Sequence, residues 1–271
     1  MLNGLEIYER EKFPPDASRL VREPLDWEAV LERIPRLVKP SVELMIIHRG
    51  RQYPFTDSRA PRWGRSMPKV LFGEGTGKSR AYKSLASRSV RRRFNELDIG
   101  VELIRERPDG LIADYDPQHY NYVLALGTAM RMTDRRQAYQ RGGYYQHMPN
   151  FVFLDRGPVS TNLFNAIYKK YGAGDPLVQQ LTARHMGELD IIWSFYITTD
   201  TAIRRGSRMT RQMHDEVGAI HGRLPDIVAA QTSEKGRPIV IAQIDANGQL
   251  ADVKQLLAGT IGTIVEGMRY G

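Results

Sequence analysis

The spacing of apolar residues along the chain changes at about residue 68. Before that point prolines recur, and only two segments have a regular pattern, a helix over 27–38 and a strand over 42–47. After it, short apolar runs alternate with longer amphipathic stretches, as strands and helices do in turn. We therefore predict a Pro-rich, basic N-terminal extension over residues 1–67 and one α/β domain over residues 68–271.

The pattern of the second part favours a parallel sheet with helices on both faces. The run Phe151–Leu154 is apolar at every position, which a strand buried on both faces requires. The predicted strands are 69–72, 101–105, 151–154, 190–198 and 239–245, and the predicted helices are 79–97, 118–141 and 161–171.

Composition excludes several classes of protein. A chain with 41% hydrophobic and 26% charged residues is neither disordered nor fibrous. No apolar run approaches the ~20 residues of a membrane span. Four acidic residues lie among the first twenty positions, where a signal peptide would have an apolar stretch. We therefore expect a cytoplasmic protein without membrane contact. The absence of cysteine rules out disulfides and thiolate chemistry, and the six histidines lack metal-ligand spacing, so we predict no zinc site.

The strongest motif is the segment Lys69–Ser79, which reads KVLFGEGTGKS and places a glycine-rich turn between a short strand and a helix. Glycines let backbone N–H groups surround phosphate oxygens, and the following helix presents its positive end to the same anion. Lys78 would reach the transferred phosphate, and the Ser79 hydroxyl would ligate Mg²⁺. The residues expected around the nucleotide are Gly73, Gly75, Thr76, Gly77, Lys78, Ser79, Arg80 and, from a later segment, Arg205.

This motif departs from the pattern G-x-x-x-x-G-K-[ST], because Phe72 stands where the first glycine belongs. Either Gly73 takes over that role or the loop begins differently. The alternative to a phosphate loop is a glycine turn followed by an incidental Lys-Ser.

A second motif follows the apolar run 151–154. Asp155 comes at the carboxyl end of that strand, where open α/β sheets bind their ligands, so its carboxylate could serve Mg²⁺ or accept the proton of a hydroxyl group. Arg156 offers a planar fork for phosphate or carbonyl oxygens. The alternative is an acid that caps a helix beside a surface ion pair.

Two further charged segments follow predicted strands. Glu106 lies in a turn after the strand 101–105 and is a candidate general base, with a solvated turn as the alternative. Four arginines stand within the eight residues 204–211, and such a cluster can close over a nucleotide and stabilise the charge of phosphoryl transfer. A solvated helix face is the alternative there. Tyr144 and Tyr145, beside two glycines, are candidates for stacking on a base.

The order of these segments resembles the thymidylate kinase and deoxynucleoside kinase group of P-loop kinases over about residues 68–268. That resemblance implies ATP and Mg²⁺ as cofactors, with Ser79 and Asp155 at the metal. It also implies that the acceptor contacts Glu106 and Arg156, and that the lid contains Arg204, Arg205 and Arg208. A sparser resemblance, based on Asp-Arg-Gly-Pro and the basic charge, is to bacteriophage kinases that phosphorylate 5-hydroxymethyluracil in DNA.

Charge bears on the choice of acceptor. The net charge is +8, and residues 48–93 hold 13 basic and 2 acidic residues, which leaves 26 basic and 29 acidic residues elsewhere. Such a concentration favours contact with a polyanion, and hence a hydroxyl carried by DNA over one on a free nucleoside or nucleotide. Those small acceptors stay open as the alternative. A DNA-binding ATPase with water as acceptor is disfavoured, because no glutamate follows the Asp-Arg pair to position water.

Overall fold

The computed structural model describes residues 42–64, 70–76, 88–96, 99–104, 120–141, 150–170, 175–207, 209–232 and 236–270. The strands are β1 (Val42–His48), β2 (Arg51–Pro54), β3 (Val70–Thr76), β4 (Gly100–Ile104), β5 (Asn150–Leu154), β6 (Ile191–Tyr196) and β7 (Ile239–Asp245). The helices are α1 (Arg88–Glu96), α2 (Tyr120–Gln140), α3 (Pro158–Lys170), α4 (Pro176–Met186), α5 (Thr199–Arg204), α6 (Arg211–Gly222), α7 (Leu224–Gln231) and α8 (Leu250–Tyr270).

All seven strands form one sheet in the order β2-β1-β7-β6-β3-β5-β4. The five strands from β7 to β4 are parallel, and β3 lies at their centre between β5 and β6. Strand β1 runs antiparallel to both β7 and β2. The predicted class, a largely parallel sheet flanked by helices, is confirmed.

The predicted boundary at residue 68 is wrong. Strands β1 and β2 lie before it, yet β1 pairs with β7 over six residues, from Val42 with Ile244 to Ile47 with Ile239. The hairpin between β1 and β2 turns at Arg49 and Gly50, both with positive φ, as a two-residue hairpin loop requires. The sequence pattern predicts a strand here but does not reveal its distant partner β7. The sheet domain therefore includes residues from Val42 onward, and residues 1–41 lie outside the described part.

Each face of the sheet is covered by helices, because apolar side chains alternate along the strands. Leu71, Phe153 and Trp193 belong to a buried cluster with side chains of α1 and α8. Phe72, Leu154 and Ile192 belong to a second cluster with α2, α3, α4 and α7. The expectation that the strand at 151–154 is buried on both faces is confirmed, since all four residues are at most 2% exposed. Within the described residues, no helix combines the length and hydrophobicity that a membrane crossing needs.

Asp190 joins the three central strands at their amino ends. Its carboxylate accepts a hydrogen bond from the Phe72 N–H at 2.9 Å and pairs with Arg237. Its backbone bonds to β3 and β7, through the Phe72 carbonyl and the Val240 N–H. Burial outweighs these favourable contacts and raises the pKa of Asp190 from 3.8 to about 6.

A raised pKa means that the folded protein binds this proton more tightly than the unfolded chain does. The contribution of Asp190 to the free energy of unfolding is therefore greatest below pH 3.8 and is lost as the pH rises through about 6. The shift corresponds to on the order of 3 kcal/mol. The free energy of unfolding, measured by denaturant titration between pH 3.5 and 6.5, should not show this decline in the Asp190→Asn variant. The control variant Glu266→Gln, at an exposed position on α8, should keep the decline. A decline of the same size in Asp190→Asn would contradict this assignment.

Candidate active site at the carboxyl edge of the sheet

The carboxyl ends of the five parallel strands meet at one edge of the sheet. Strands β3 and β6 are neighbours in the sheet. After β3 the chain continues to β4 at one end of the sheet, whereas after β6 it continues to β7 in the opposite direction. Such a reversal opens a crevice outside the two strand ends, where α/β proteins bind ligands. Thr76 of β3 and Ser194 of β6 pair with each other at this point.

Strand β3 continues four residues past its predicted end at Phe72. Gly73 pairs with Phe153 and Ile191, and Gly75 pairs with Trp193, so both glycines lie within the sheet and not in a turn. A Cβ atom at Gly73 would lie only 2.6 Å from the Trp193 ring, which shows why a glycine is needed there. The prediction that these glycines form the turn is wrong. Gly77, Lys78, Ser79 and Arg80 lie outside the described residues, and their phosphate contacts remain predictions.

Glu74 sits between these glycines and connects β3 to helix α3. Its carboxylate is fully buried and accepts hydrogen bonds from the backbone N–H groups of Val159 at 2.9 Å and Ser160 at 2.6 Å. Those donors belong to the first turn of α3, whose positive end favours an anion. Burial raises the pKa of Glu74, although the hydrogen bonds from Ser160, Val159 and Gly157 act in the opposite direction.

Asp155 and Arg156 come just before the first turn of α3, to which the Glu74 carboxyl group is hydrogen-bonded. The Asp155 N–H donates to the carbonyl oxygen of Ile104 at 3.0 Å, which ties the end of β5 to the end of β4. The Arg156 guanidinium lies 5.0 Å from the centre of the Phe164 ring. Both residues are partly exposed at the carboxyl edge, where the sequence predicted them. Helix α3 begins at Pro158 and not at Thr161, because Glu74 and a first-turn proline support the earlier start.

The arginines of the segment 204–211 have different hydrogen-bond and ion-pair partners. Arg205 donates to the carbonyl oxygens of Ala246, Asn247 and Gly248, at 2.7, 3.0 and 2.5 Å. It therefore holds the loop after β7, a role that the sequence analysis did not anticipate, and its contact with the nucleotide stays a prediction.

The other arginines of this segment lie nearer the surface. Arg204 donates to the hydroxyl of Thr201 at 3.2 Å, and Arg211 forms an ion pair with Asp200 at 2.7 Å. Arg208, Glu106, Tyr144 and Tyr145 lie outside the described residues. Among the residues that the structure describes, no group of three or more His, Asp and Glu side chains could hold a metal, and the absence of a zinc site stays a prediction.

His221 is the residue of this region that sequence reasoning missed. It lies with His214 on α6. However, the His221 ring is buried against the sheet, with Nδ1 at 2.8 Å from the Ser194 hydroxyl and Nε2 at 3.2 Å from the Thr76 hydroxyl. Burial lowers the pKa of His221 to about 4. Its partners come from distant strands, so no local pattern could have revealed them.

A small cavity adjoins His221. It has a volume of about 10 Å³ and is lined by Thr76 and His221, by Leu163, Phe164 and Ile167 of α3, and by Val217 and Ile220 of α6. This space suits a single water molecule and no more. Phe164 thus lines this cavity and also contacts Arg156.

The described arginines of the basic stretch do not all lie at this edge. Because β1 is antiparallel to the core strands, the Arg49–Gly50 turn lies at the opposite, amino edge. Arg62 is partly buried, donates to the Phe55 carbonyl at 2.5 Å and contacts the sulfur of Met268 in the last turn of α8. Arg59 is 86% exposed and pairs with Asp57, whose pKa is lowered by that hydrogen bond.

Gly157 allows Glu74 to approach α3, and this close approach can be tested. A Cβ atom at position 157 would lie 2.6 Å from the carboxyl carbon of Glu74. We expect Gly157→Ala to lower the free energy of unfolding by about 1–3 kcal/mol, because the carboxylate must leave its backbone donors. The control is Gly218→Ala in α6, where nothing lies within 4 Å and a gain of about 0.5–1 kcal/mol is expected. Equal effects of the two substitutions in denaturant titrations would contradict the cap.

Comparison with known proteins finds no matching family model and no matching curated protein. Among solved structures, the chain is similar to deoxyadenosine kinase from M. mycoides with the products dCMP and a flexible dCDP bound, at 10% identity and a TM-score of 0.46, over 72% of this chain and 100% of that one. The same kinase with bound dATP is similar at 12% identity and a TM-score of 0.41, over 71% and 99% of the two chains. Similarity at this level assigns neither a family nor a substrate.

Proposed function

We propose that the chain is an ATP-dependent kinase that phosphorylates a hydroxyl group of a nucleoside or nucleotide. The observation that carries the proposal is the position of Gly77-Lys78-Ser79 directly after β3. This strand is fully buried at the centre of the parallel sheet, and it ends at the crevice where the strand order reverses. Asp155 and Arg156 follow the neighbouring strand β5 at the same edge.

Each residue would act on a different part of the reaction. Lys78 neutralises the phosphate oxygens, and Arg156 orients the acceptor beside the Phe164 ring. The acceptor oxygen forms a bond to the γ-phosphorus while the bond to the β–γ bridging oxygen breaks, and ADP leaves with that electron pair. Asp155 or Glu106 takes the proton of the acceptor hydroxyl. Arg204 and Arg208 stabilise the charge on the transferred group.

Magnesium suits this set of oxygen donors. Mg²⁺ is held by one or two protein oxygens together with substrate phosphates and water, so it needs no cluster of three acidic side chains. Asp155 and Ser79 would hold it, and it would neutralise charge on the β- and γ-phosphates.

The structure favours a small acceptor over DNA. Two of the described arginines of the basic stretch are not available to a duplex at this edge: the Arg49 turn lies at the amino edge, and Arg62 is engaged with Phe55. In contrast, Arg156 is partly exposed at the crevice, where its guanidinium could bind one acceptor molecule. A hydroxyl carried by DNA, including that of 5-hydroxymethyluracil, is the second candidate, because the net positive charge of residues 48–93 includes several arginines outside the described part.

The kinase assignment predicts that Lys78→Ala abolishes phosphoryl transfer while the folded state keeps its stability. The side chain would neutralise phosphate charge and would contribute nothing to the core. The measurement is the transfer of label from γ-labelled ATP to a panel of deoxynucleosides and deoxynucleotides, together with the thermal unfolding midpoint. Lys254→Ala on α8 is the matched control and should transfer as the wild type does. Transfer by Lys78→Ala near the wild-type rate would refute the phosphate loop, and release of free phosphate alone would identify an ATPase.

The choice of acceptor predicts how DNA and salt affect the reaction. If the acceptor is small, plain and hydroxymethyluracil-containing DNA should neither take up label nor compete, and the double variant Arg51→Glu, Arg59→Glu should retain nucleoside phosphorylation. Both arginines are exposed, so reversing their charge does not disturb the core. Label in DNA, with an affinity that falls with salt at a slope of about −0.9 per phosphate contact, would instead establish the DNA acceptor.

A further inference from the structure

Three buried polar side chains meet beneath the crevice. Thr76, Ser194 and His221 are 1%, 1% and 4% exposed, and the His221 ring contacts both hydroxyl groups. A neutral imidazole has one donor and one acceptor nitrogen, and a hydroxyl group can serve as either, so the cluster can satisfy its hydrogen bonds internally. Since the pKa of His221 is lowered to about 4, the ring is neutral at physiological pH.

The cluster lies directly before the predicted phosphate loop. Thr76 is the last residue of β3, and Gly77 and Lys78 follow it in the chain. Its hydroxyl faces His221 inside the protein, so this side chain does not reach a nucleotide. The position of Thr76 sets the point from which the loop departs, and the pairing of Thr76 with Ser194 fixes that point relative to β6.

Helix α6 connects this cluster to the arginine-rich segment. Thr210 caps its start by accepting a hydrogen bond from the Met213 N–H at 3.2 Å, and His214 contacts the Ser207 hydroxyl at 2.7 Å. His221 lies near the other end of the same helix, about 15 Å farther along its axis. There the His221 carbonyl accepts a hydrogen bond from Gln243 of β7 at 3.2 Å.

We propose that His221 is a positioning residue, which sets the start of the phosphate loop through its contact with Thr76. The same contact fixes α6 relative to that loop, and with α6 the arginine segment that precedes it. The inference rests on the proposed kinase function. In this role the ring touches neither nucleotide nor acceptor. It keeps the loop and the arginines in a fixed position relative to each other, and phosphoryl transfer depends strongly on such alignment.

Substitution of Thr76 tests the link with little change in volume. Thr76→Val removes the hydroxyl, whereas Thr76→Ser keeps it. We expect kcat for transfer to fall by at least about 10-fold in Thr76→Val, with KM for the acceptor changed by less than about 3-fold, and we expect Thr76→Ser to recover most of the rate. Thr182→Val is the matched control, because it also removes a buried hydroxyl, which bonds to Val178 within α4 on an element outside the carboxyl-edge site.

A double variant separates positioning from a general loss of stability. If His221 acts through Thr76, adding Thr76→Val to His221→Gln should lower kcat by less than about 2-fold beyond His221→Gln alone. Multiplied losses, or a kcat for Thr76→Val equal to that of Thr182→Val, would overturn the inference while the wild type still transfers label. Absence of transfer by the wild type would overturn the proposed function itself.

Discussion

The Glu74 carboxylate occupies the first turn of α3 from within the central strand, and the geometry of the carboxyl edge depends on this contact. A carboxyl group with no exposure to solvent is costly unless its oxygens are hydrogen-bonded, and the N–H groups of Val159 and Ser160 meet that need. The same contact requires glycine at position 157 and fixes where α3 begins. Because Asp155 and Arg156 immediately precede that point, β3 determines their position as well.

A second set of contacts holds the neighbouring part of this edge. His221 joins β3 and β6 through two hydroxyl groups, and Arg205 joins the end of α5 to the carbonyl groups of the loop after β7. Arg205 is one of the predicted lid arginines, and His221 follows them in the chain on α6. This part of the site is thus supported by one buried and one partly buried polar side chain, while Arg204, one of the arginines proposed to meet the transferred phosphate, is partly exposed.

The sequence predicted those features that depend on local pattern. The parallel sheet, the helix over α2 and the strand β7 follow from apolar spacing, and Asp155 and Arg156 were correctly expected at a strand end. Features that depend on distant partners were missed. Gly73 was read as a turn residue because nothing nearby reveals the Phe151 and Trp193 rings against which it packs, and β1 was separated from the sheet because its partner β7 lies almost 200 residues away.

The central claim is that nucleotide phosphates bind to the residues that follow β3. Amide hydrogen exchange with and without a non-hydrolysable ATP analogue and Mg²⁺ tests it directly. The account predicts slower exchange at residues 77–80 in the wild type, because backbone N–H groups there would bond to phosphate oxygens, and a much smaller effect in Lys78→Ala. Unchanged exchange at these residues, despite saturating nucleotide, would contradict the account.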